Sequence, residues 1–187
     1  MTITKYYKAQ LQELHAGRVD KKWGNSGARN FGNQLVGYIS KFRRITTVLD
    51  FGAGQGTLGQ YVTEACPWVK WTSYDPGIPG IDTLPTGKFD LIVSSDVLEH
   101  IEPEEIDNVL EWLHEHARMS QYHHIACFEA GARLPDGRLA HLIVEDVHWW
   151  KDKFTLPNWD IQFYSDTMKR KRSTWQRSCQ IQTDRLG

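Results

Sequence analysis

The chain has 187 residues, of which 40% are hydrophobic and 24% are charged, an ordinary composition for one globular domain. Its formal net charge of −1 excludes a strong overall attraction to nucleic acid or to an anionic membrane. Three widely spaced cysteines argue against a disulfide framework, and no apolar run is long enough to span a bilayer. We therefore expect a cytoplasmic protein with a single domain covering residues 1–187.

The first 44 residues are polar and favour helix. A stretch rich in glycine and asparagine, from Gly17 to Gly32, interrupts this pattern and is typical of a loop. After it, residues 34–42 place apolar side chains at helical spacing. We predict two short helices connected by this loop.

From residue 46 onward, the pattern alternates between buried strands and helices. It predicts strands at 46–51, 68–75, 89–95 and 124–129, and helices at 57–65 and 102–119. Such alternation implies right-handed crossovers and a parallel sheet. Residues 159–164 and 174–181 predict two more strands, which would form an antiparallel hairpin at one edge of the sheet.

A glycine-rich turn follows the first strand, within the segment from Val48 to Gly56. Glycines at alternating positions let the backbone turn sharply and let a ligand approach the main-chain amides closely. A dinucleotide-binding turn has the spacing G-x-G-x-x-G, whereas the spacing here is G-x-G-x-G and Asp50 precedes it. A carboxylate at that point would repel a phosphate and attract a cationic amino acid. The turn therefore favours a sulfonium amino acid as ligand.

This turn resembles the signature of the class I S-adenosylmethionine-dependent methyltransferases, acid-x-G-x-G-x-G. Asp75 ends the second strand and is similar to the acid that accepts hydrogen bonds from both ribose hydroxyls in that family. The strand at 89–95 is similar to the family's fourth strand, so the resemblance spans residues 46 to 130. It implies an α/β, Rossmann-like, mostly parallel seven-stranded sheet with an antiparallel C-terminal hairpin and helices on both faces.

The resemblance also implies a division of the chain and a set of cofactor contacts. Residues 1–44 would form a helical lid or substrate segment over a cofactor-binding core at 45–187. The cofactor would be S-adenosyl-L-methionine, with S-adenosyl-L-homocysteine as the product. The residues expected to contact it are Asp50, Gly52, Ala53, Gly54, Gly56, Asp75, Pro76, Asp82 and Asp96.

The chain departs from the family pattern between Pro76 and Phe89. About a dozen residues stand there in place of a helix and a strand. We predict a short third strand at residues 80–82, without the helix that normally precedes it. Asp82 lies before Leu-Pro and is similar to the family's adenine-contacting acid, although the compressed spacing leaves a solvated loop acid as the alternative.

A charged segment, Asp96 to His100, follows the fourth strand of the family pattern. Ligands bind beyond the carboxyl ends of parallel strands, so these side chains should face the site. The segment is similar to one in several O-methyltransferases, which implies that Asp96 meets the methyl-bearing end of the cofactor. Three roles stay open for Glu99 and His100: a general base, a divalent metal site resembling that of small-RNA 2′-O-methyltransferases, or a cap for the next helix.

His141 lies in the region after the fifth strand of the family pattern, which contributes substrate contacts in the family. It could supply the base in place of His100, a further metal ligand, or an ordinary buried or surface histidine. We name His100, Glu99 and His141 as the catalytic candidates and assign no metal ligand.

The sequence therefore predicts methyl transfer from S-adenosylmethionine to an oxygen or nitrogen of a small-molecule acceptor. One alternative is a metal-dependent RNA ribose methyltransferase, whose phosphate contacts would come from the basic run Lys169–Arg172. Another is a non-catalytic S-adenosylmethionine-binding protein. Residues 94–97 lack the Asn/Asp-Pro-Pro-Tyr signature of base-amino methyltransferases. We expect a small-molecule partner rather than nucleic acid or a membrane, and we predict no particular oligomeric state.

Overall fold

The structure, a computed structural model that describes residues 3–17, 23–24, 27–171 and 174–185, is a sheet covered by helices. The helices are α1 (Lys5–His15), α2 (Gly27–Lys41), α3 (Thr57–Ala65), α4 (Ile106–His116) and α5 (Val147–Phe154), with a 3-10 turn at Leu98–His100. The strands are β1 (Thr47–Phe51), β2 (Lys70–Tyr74), β3 (Phe89–Ser95), β4 (Ala117–Ala126), β5 (Trp159–Lys171) and β6 (Thr174–Arg185).

The described residues form one six-stranded sheet in the order β2-β1-β3-β4-β6-β5. The pairs β1–β2, β1–β3 and β3–β4 are parallel. Strand β6 pairs antiparallel with both β4 and β5. The pair β5–β6 is the predicted C-terminal hairpin. The predicted α/β, Rossmann-like architecture is therefore confirmed. After β1 the chain crosses to β2 on one side and then to β3 on the other, so a crevice opens beyond the carboxyl ends of β1 and β3.

Helices cover both faces of the sheet, as predicted. One face packs against α4 and α5, through buried side chains that include Leu110 and Trp150. The other face packs against α2 and α3, through Leu35 and Val62. Burial of each large apolar side chain of this kind contributes about 2 kcal/mol, so the two layers fix the strands whose ends form the crevice.

The predicted short strand at residues 80–82 is wrong. This segment contains turns and bends and no strand. Asp75, directly after β2, donates a hydrogen bond of 3.0 Å from its main-chain N to the carbonyl of Ile81. Proline cannot donate to a strand ladder, and Pro76, Pro79 and Pro85 all fall in the short connection. The described sheet accordingly has six strands where seven were expected.

The boundary between α4 and β4 also differs from the prediction. We expected a helix over 102–119 and a strand over 124–129, but α4 ends at His116 and β4 begins directly at Ala117. Strand β4 is held on one side by β3 and on the other by β6, and this pairing outweighs the helical spacing of apolar residues near 117–119.

The N-terminal segment that we predicted to be a lid contains two helices, which pack in different places. Helix α2 belongs to the core, whereas α1 packs at the mouth of the crevice through Tyr7, Leu11 and Leu14 against Leu134 and Ala140. In the basic run Lys169–Arg172, which we expect to be a solvated turn and which only the RNA alternative would use for binding, Arg172 lies outside the described residues. Among the described helices, none has the length and apolar character that a membrane span needs.

Candidate active site

A cavity of about 800 Å³ opens at the crevice beyond β1 and β3. Its walls come from the turn after β1, the ends of β2 and β3, the 3-10 turn, the loop before α5 and helix α1. Most of the sequence-predicted site residues lie in these walls: Asp50, Gly52, Ala53, Gly54, Asp75, Pro76, Asp96, His100 and His141.

Three predicted residues do not line the cavity. Gly56 lies further along the turn and is the N-cap residue directly before α3. Asp82 forms a salt bridge outside the cavity, in which its Oδ2 lies 2.7 Å from the Nζ of Lys8. Glu99 lies behind the wall and is fully buried.

Asp50 presents a buried carboxyl to the cavity. It is 2% exposed, and its Oδ2 has no hydrogen-bond partner within the described residues. Burial, and then the negative charge of Asp75, raises the pKa of the Asp50 carboxyl from 3.8 to about 7. The carboxyl is therefore suited to a cationic group, which would bind its free oxygen and favour its ionised form.

The glycine turn leaves no room for side chains at two positions. A Cβ on Gly52, whose φ is +80°, would lie 2.4 Å from Cγ2 of Val97. A Cβ on Gly54, whose φ is +54°, would lie 2.4 Å from the carbonyl oxygen of Gly24. Both positions therefore require glycine for backbone conformation and for close packing.

Asp75 is held by donors of the protein itself. Its Oδ2 accepts a hydrogen bond from the main-chain N of Gly54 at 2.9 Å, and its Oδ1 accepts one from Gly77 at 2.8 Å. The Nε2 of His15, on α1, lies 3.3 Å from the same Oδ1. A carboxylate has about four lone-pair positions, so these contacts leave one for a ligand unless His15 withdraws. The two-hydroxyl ribose contact implied by the family resemblance would require His15 to move.

Trp23 and Gly24 line one side of the cavity. The Trp23 ring packs edge-on against His15 and His100, with ring centroids 6.4 and 5.0 Å apart. The main-chain N of Gln55, in the glycine turn, donates a hydrogen bond of 3.0 Å to the carbonyl of Gly24. These contacts connect Trp23 and Gly24 directly to the glycine turn and to the catalytic candidates.

Asp96 is placed by an unusual backbone and by a histidine that the sequence did not single out. Its φ is +57°, the left-handed region, which costs about 1 to 2 kcal/mol for a residue with a side chain. Its Oδ1 lies 2.8 Å from Nδ1 of His124, which also lines the cavity. The register of β3 on β4 places Ser95 opposite His124, so no local sequence signal could have identified this pair.

Glu99, His100 and His141 converge at one end of the cavity. One oxygen or nitrogen atom from each side chain lies within 4.8 Å of the corresponding atoms of the other two. Nδ1 of His100 donates to the carbonyl of Ala140 at 2.7 Å, and Nδ1 of His141 donates to the carbonyl of Phe128 at 2.5 Å. Burial lowers the pKa of His100 from 6.5 to about 4, so its imidazole is neutral at pH 7.

We expect Tyr7→Phe to loosen α1 from this site. The Tyr7 hydroxyl donates to the carbonyl of His100, and Tyr7 is 1% exposed. Losing the donor would leave that carbonyl unpaired and cost about 1 kcal/mol, since the phenyl ring keeps the apolar contacts. Amide hydrogen exchange of α1 should therefore speed up about fivefold. The control is Tyr6→Phe, since Tyr6 is 63% exposed; equal exchange rates in the two variants would contradict the expectation.

A family of methyltransferase domains matches residues 8–167 of the chain. No protein with a curated description matches it. Among solved structures, the 1,6-didemethyltoxoflavin N1-methyltransferase of Burkholderia thailandensis, with S-adenosylhomocysteine bound, is 16% identical, with 100% of this chain and 92% of that chain covered and a TM-score of 0.69.

Two further solved structures share the fold at low identity. The N-methyltransferase NodS of Bradyrhizobium japonicum, in complex with S-adenosylhomocysteine, is 11% identical, with 96% of this chain and 100% of that chain covered and a TM-score of 0.63. The magnesium protoporphyrin IX methyltransferase of Synechocystis is 17% identical, with 85% and 80% covered and a TM-score of 0.51. The chain therefore belongs to the methyltransferase-domain family and, as the glycine turn after β1 predicted, to the class I S-adenosylmethionine-dependent methyltransferases.

Proposed function

We propose that the protein transfers a methyl group from S-adenosylmethionine to an oxygen or nitrogen of a small-molecule acceptor held in the cavity. The observation that carries this proposal is the buried Asp50 carboxyl, which belongs to the cavity wall beside the glycine turn and forms no ion pair with any described residue. A buried carboxylate oxygen without a partner is costly, and a ligand ammonium group would satisfy it.

The residues present fit the cofactor. Asp50 would hold its ammonium group, Gly52 and Gly54 would allow its close approach to the backbone, and Asp75 would accept a ribose hydroxyl. When bound, S-adenosylmethionine supplies a methyl group on a positively charged sulfur, which is the electrophile of the reaction. The chain's own contribution is to orient both reactants and to keep water out.

The acceptor would occupy the end of the cavity that His100 and His141 border, with Glu99 behind them. The rings of Trp23 and Phe128 lie against His100 and His141, respectively, so this end combines aromatic surface with two imidazole nitrogens. In this proposal His100 and His141 bind and activate the O–H or N–H group that receives the methyl, and Glu99 acts from behind them. Such a mixture of aromatic walls and few polar groups is typical of sites for small organic molecules.

The proposed partner is a small molecule rather than nucleic acid or a membrane. Helix α1 and Trp23 line the cavity, and its volume of about 800 Å³ lies in the range that is typical of sites for small molecules. We also propose that the protein is located in the cytoplasm, because none of its three cysteines, Cys66, Cys127 and Cys179, forms a disulfide bond.

Calorimetric titration with S-adenosylmethionine and S-adenosylhomocysteine tests the proposal, followed by mass spectrometry over a panel of hydroxyl and amine acceptors. We expect Asp75→Asn to weaken cofactor binding about tenfold, or 1.4 kcal/mol, because the amide loses the charge and one acceptor oxygen. Asp107→Asn is the control, since Asp107 lies on the exposed side of α4.

Three results would count against the proposal. If the wild-type protein gives neither binding heat nor thermal protection with either compound, the cofactor assignment fails. Equal affinities in the Asp75 and Asp107 variants would remove Asp75 from the site. Binding without any methylated product across the panel would favour the non-catalytic alternative.

A further inference from the structure

We propose that Glu99, His100 and His141 bind a divalent transition-metal ion at the acceptor end of the cavity. The ion-binding site stands on its own geometry, whereas its use in methyl transfer rests on the proposed function. Three potential ligand atoms lie within 4.8 Å of one another, a spacing that a shared ion could close with small side-chain movements.

Both histidines are already oriented as metal ligands are. Each donates its Nδ1 hydrogen to a main-chain carbonyl, His100 to Ala140 at 2.7 Å and His141 to Phe128 at 2.5 Å. These bonds fix the tautomer and leave the lone pair on each Nε2. A second hydrogen bond from the outer ring nitrogen is the usual support of a metal-bound histidine.

Glu99 supplies a buried oxygen without a partner. Its Oε1 accepts a hydrogen bond from the main-chain N of Ala126 at 3.0 Å, whereas its Oε2 has no hydrogen-bond partner in the described part of the chain. The residue is 0% exposed and forms no ion pair with any described residue. Burying an ionised carboxylate costs free energy unless a nearby cation compensates its negative charge, and a metal ion would provide that positive charge.

The backbone holds the three ligands in place before any ion binds. The main-chain N of Leu142 and of Ile143 both donate to the carbonyl of Glu99, at 2.8 and 3.0 Å. The His141 loop is therefore anchored on the 3-10 turn that carries Glu99 and His100. This preorganisation reduces the entropy that ion binding would otherwise cost.

The ligand set favours zinc, manganese or iron over calcium and magnesium. Two imidazole nitrogens and one carboxylate suit the first group, whereas calcium and magnesium prefer oxygen ligands throughout. Three protein ligands leave coordination positions open, which is typical of catalytic rather than structural sites. His100 and His141 line the cavity and Glu99 lies behind them, so the open positions would face the acceptor.

Such an ion would act as a Lewis acid on the acceptor. A hydroxyl next to it would lose its proton to solvent more readily, as water does beside a bound zinc ion. The acceptor oxygen would then form its bond to the methyl carbon as the carbon–sulfur bond breaks and leaves its electron pair on sulfur. Charge balances, because the positive charge of the sulfonium ends on the released proton.

The test is a cobalt(II) titration of the chelator-treated full chain without any cofactor, followed by visible absorption, with zinc calorimetry in parallel. We expect one tight site. Glu99→Gln, which keeps an oxygen for the Ala126 amide, and His141→Gln should each weaken binding at least tenfold, about 1.4 kcal/mol. Matched controls are Glu111→Gln and His148→Gln, both at exposed positions on helices α4 and α5, which should leave the affinity unchanged.

Titration with S-adenosylhomocysteine separates this inference from the proposed function. Wild-type protein that binds S-adenosylhomocysteine but binds cobalt no more tightly than the Glu99 and His141 variants overturns the metal site alone. Cobalt binding without S-adenosylhomocysteine binding overturns the proposed function alone. If a variant fails to fold, X-ray absorption of the zinc-loaded wild type decides: imidazole scattering in the first shell supports the site, and its absence overturns it.

Discussion

Replacing Gly54 by alanine is expected to weaken S-adenosylhomocysteine binding at least thirtyfold, about 2 kcal/mol. The new Cβ would lie 2.4 Å from the carbonyl oxygen of Gly24 and 2.8 Å from its Cα. Both are main-chain atoms, which cannot rotate away as a flexible side chain can. Residues 23–24 would have to move off the glycine turn, and Trp23 would lose its position against His100.

Gly56→Ala is the matched control for this effect. Gly56 has a φ of +74°, so alanine there meets the same left-handed strain of about 1 to 2 kcal/mol, but no atom lies within 4 Å of its Cβ. Both variants should unfold at lower temperature than the wild type, whereas only the Gly54 variant should lose cofactor affinity. An equal loss of affinity in both would mean that backbone strain, and not the contact with Gly24, controls binding.

The parts of the fold that could be predicted are those with strong local patterns. The run Val48 to Gly56 combines a buried strand with a turn that demands glycine, and the strand at 89–95 is almost entirely apolar. Both were found where the sequence places them. The β4 strand was misplaced because its extended conformation comes from its neighbours β3 and β6, which local spacing does not report.

The candidate site also combines residues that are adjacent in the chain with contacts between residues that are far apart in it. The glycine turn, Asp50 and the 99–100 pair could be identified because their residues are adjacent in the chain. The contacts of His15 with Asp75 and of His124 with Asp96 depend on how α1 docks and on strand register. The orientation of His100 depends on the carbonyl of Ala140, 40 residues away, so its available lone pair could not be read from the sequence.

We expect Asp50→Asn to weaken S-adenosylmethionine binding about thirtyfold at pH 7.5 and to remove the pH dependence of binding on the acid side. In the wild type the ionised carboxylate would pair with the ligand ammonium group, and losing one partner of a buried charge pair costs about 2 kcal/mol or more. The amide keeps the shape of the side chain and lacks the charge.

The sign of the pH effect follows from the raised pKa of Asp50, about 7 in the free protein. Below pH 7 the carboxyl is mostly protonated, and binding of a cation must first displace that proton, so affinity falls as pH falls. The ionised fraction of Asp50 rises from roughly 10% at pH 6 to roughly 75% at pH 7.5, which predicts about an eightfold gain in affinity for the protonated ligand over this range. Above about pH 8 the ligand's own amino group loses its proton and affinity should fall again.

Calorimetry at pH 6 and pH 7.5 in two buffers of different ionisation enthalpy measures both the affinity and the number of protons released. The wild type should release protons on binding at pH 6, and the Asp50 variant should release clearly fewer. His15 and Asp75 also face this part of the cavity, so the comparison of the two proteins isolates the contribution of Asp50. A variant that keeps the full eightfold gain would show that the pH dependence does not come from Asp50, and the ammonium group would then bind elsewhere.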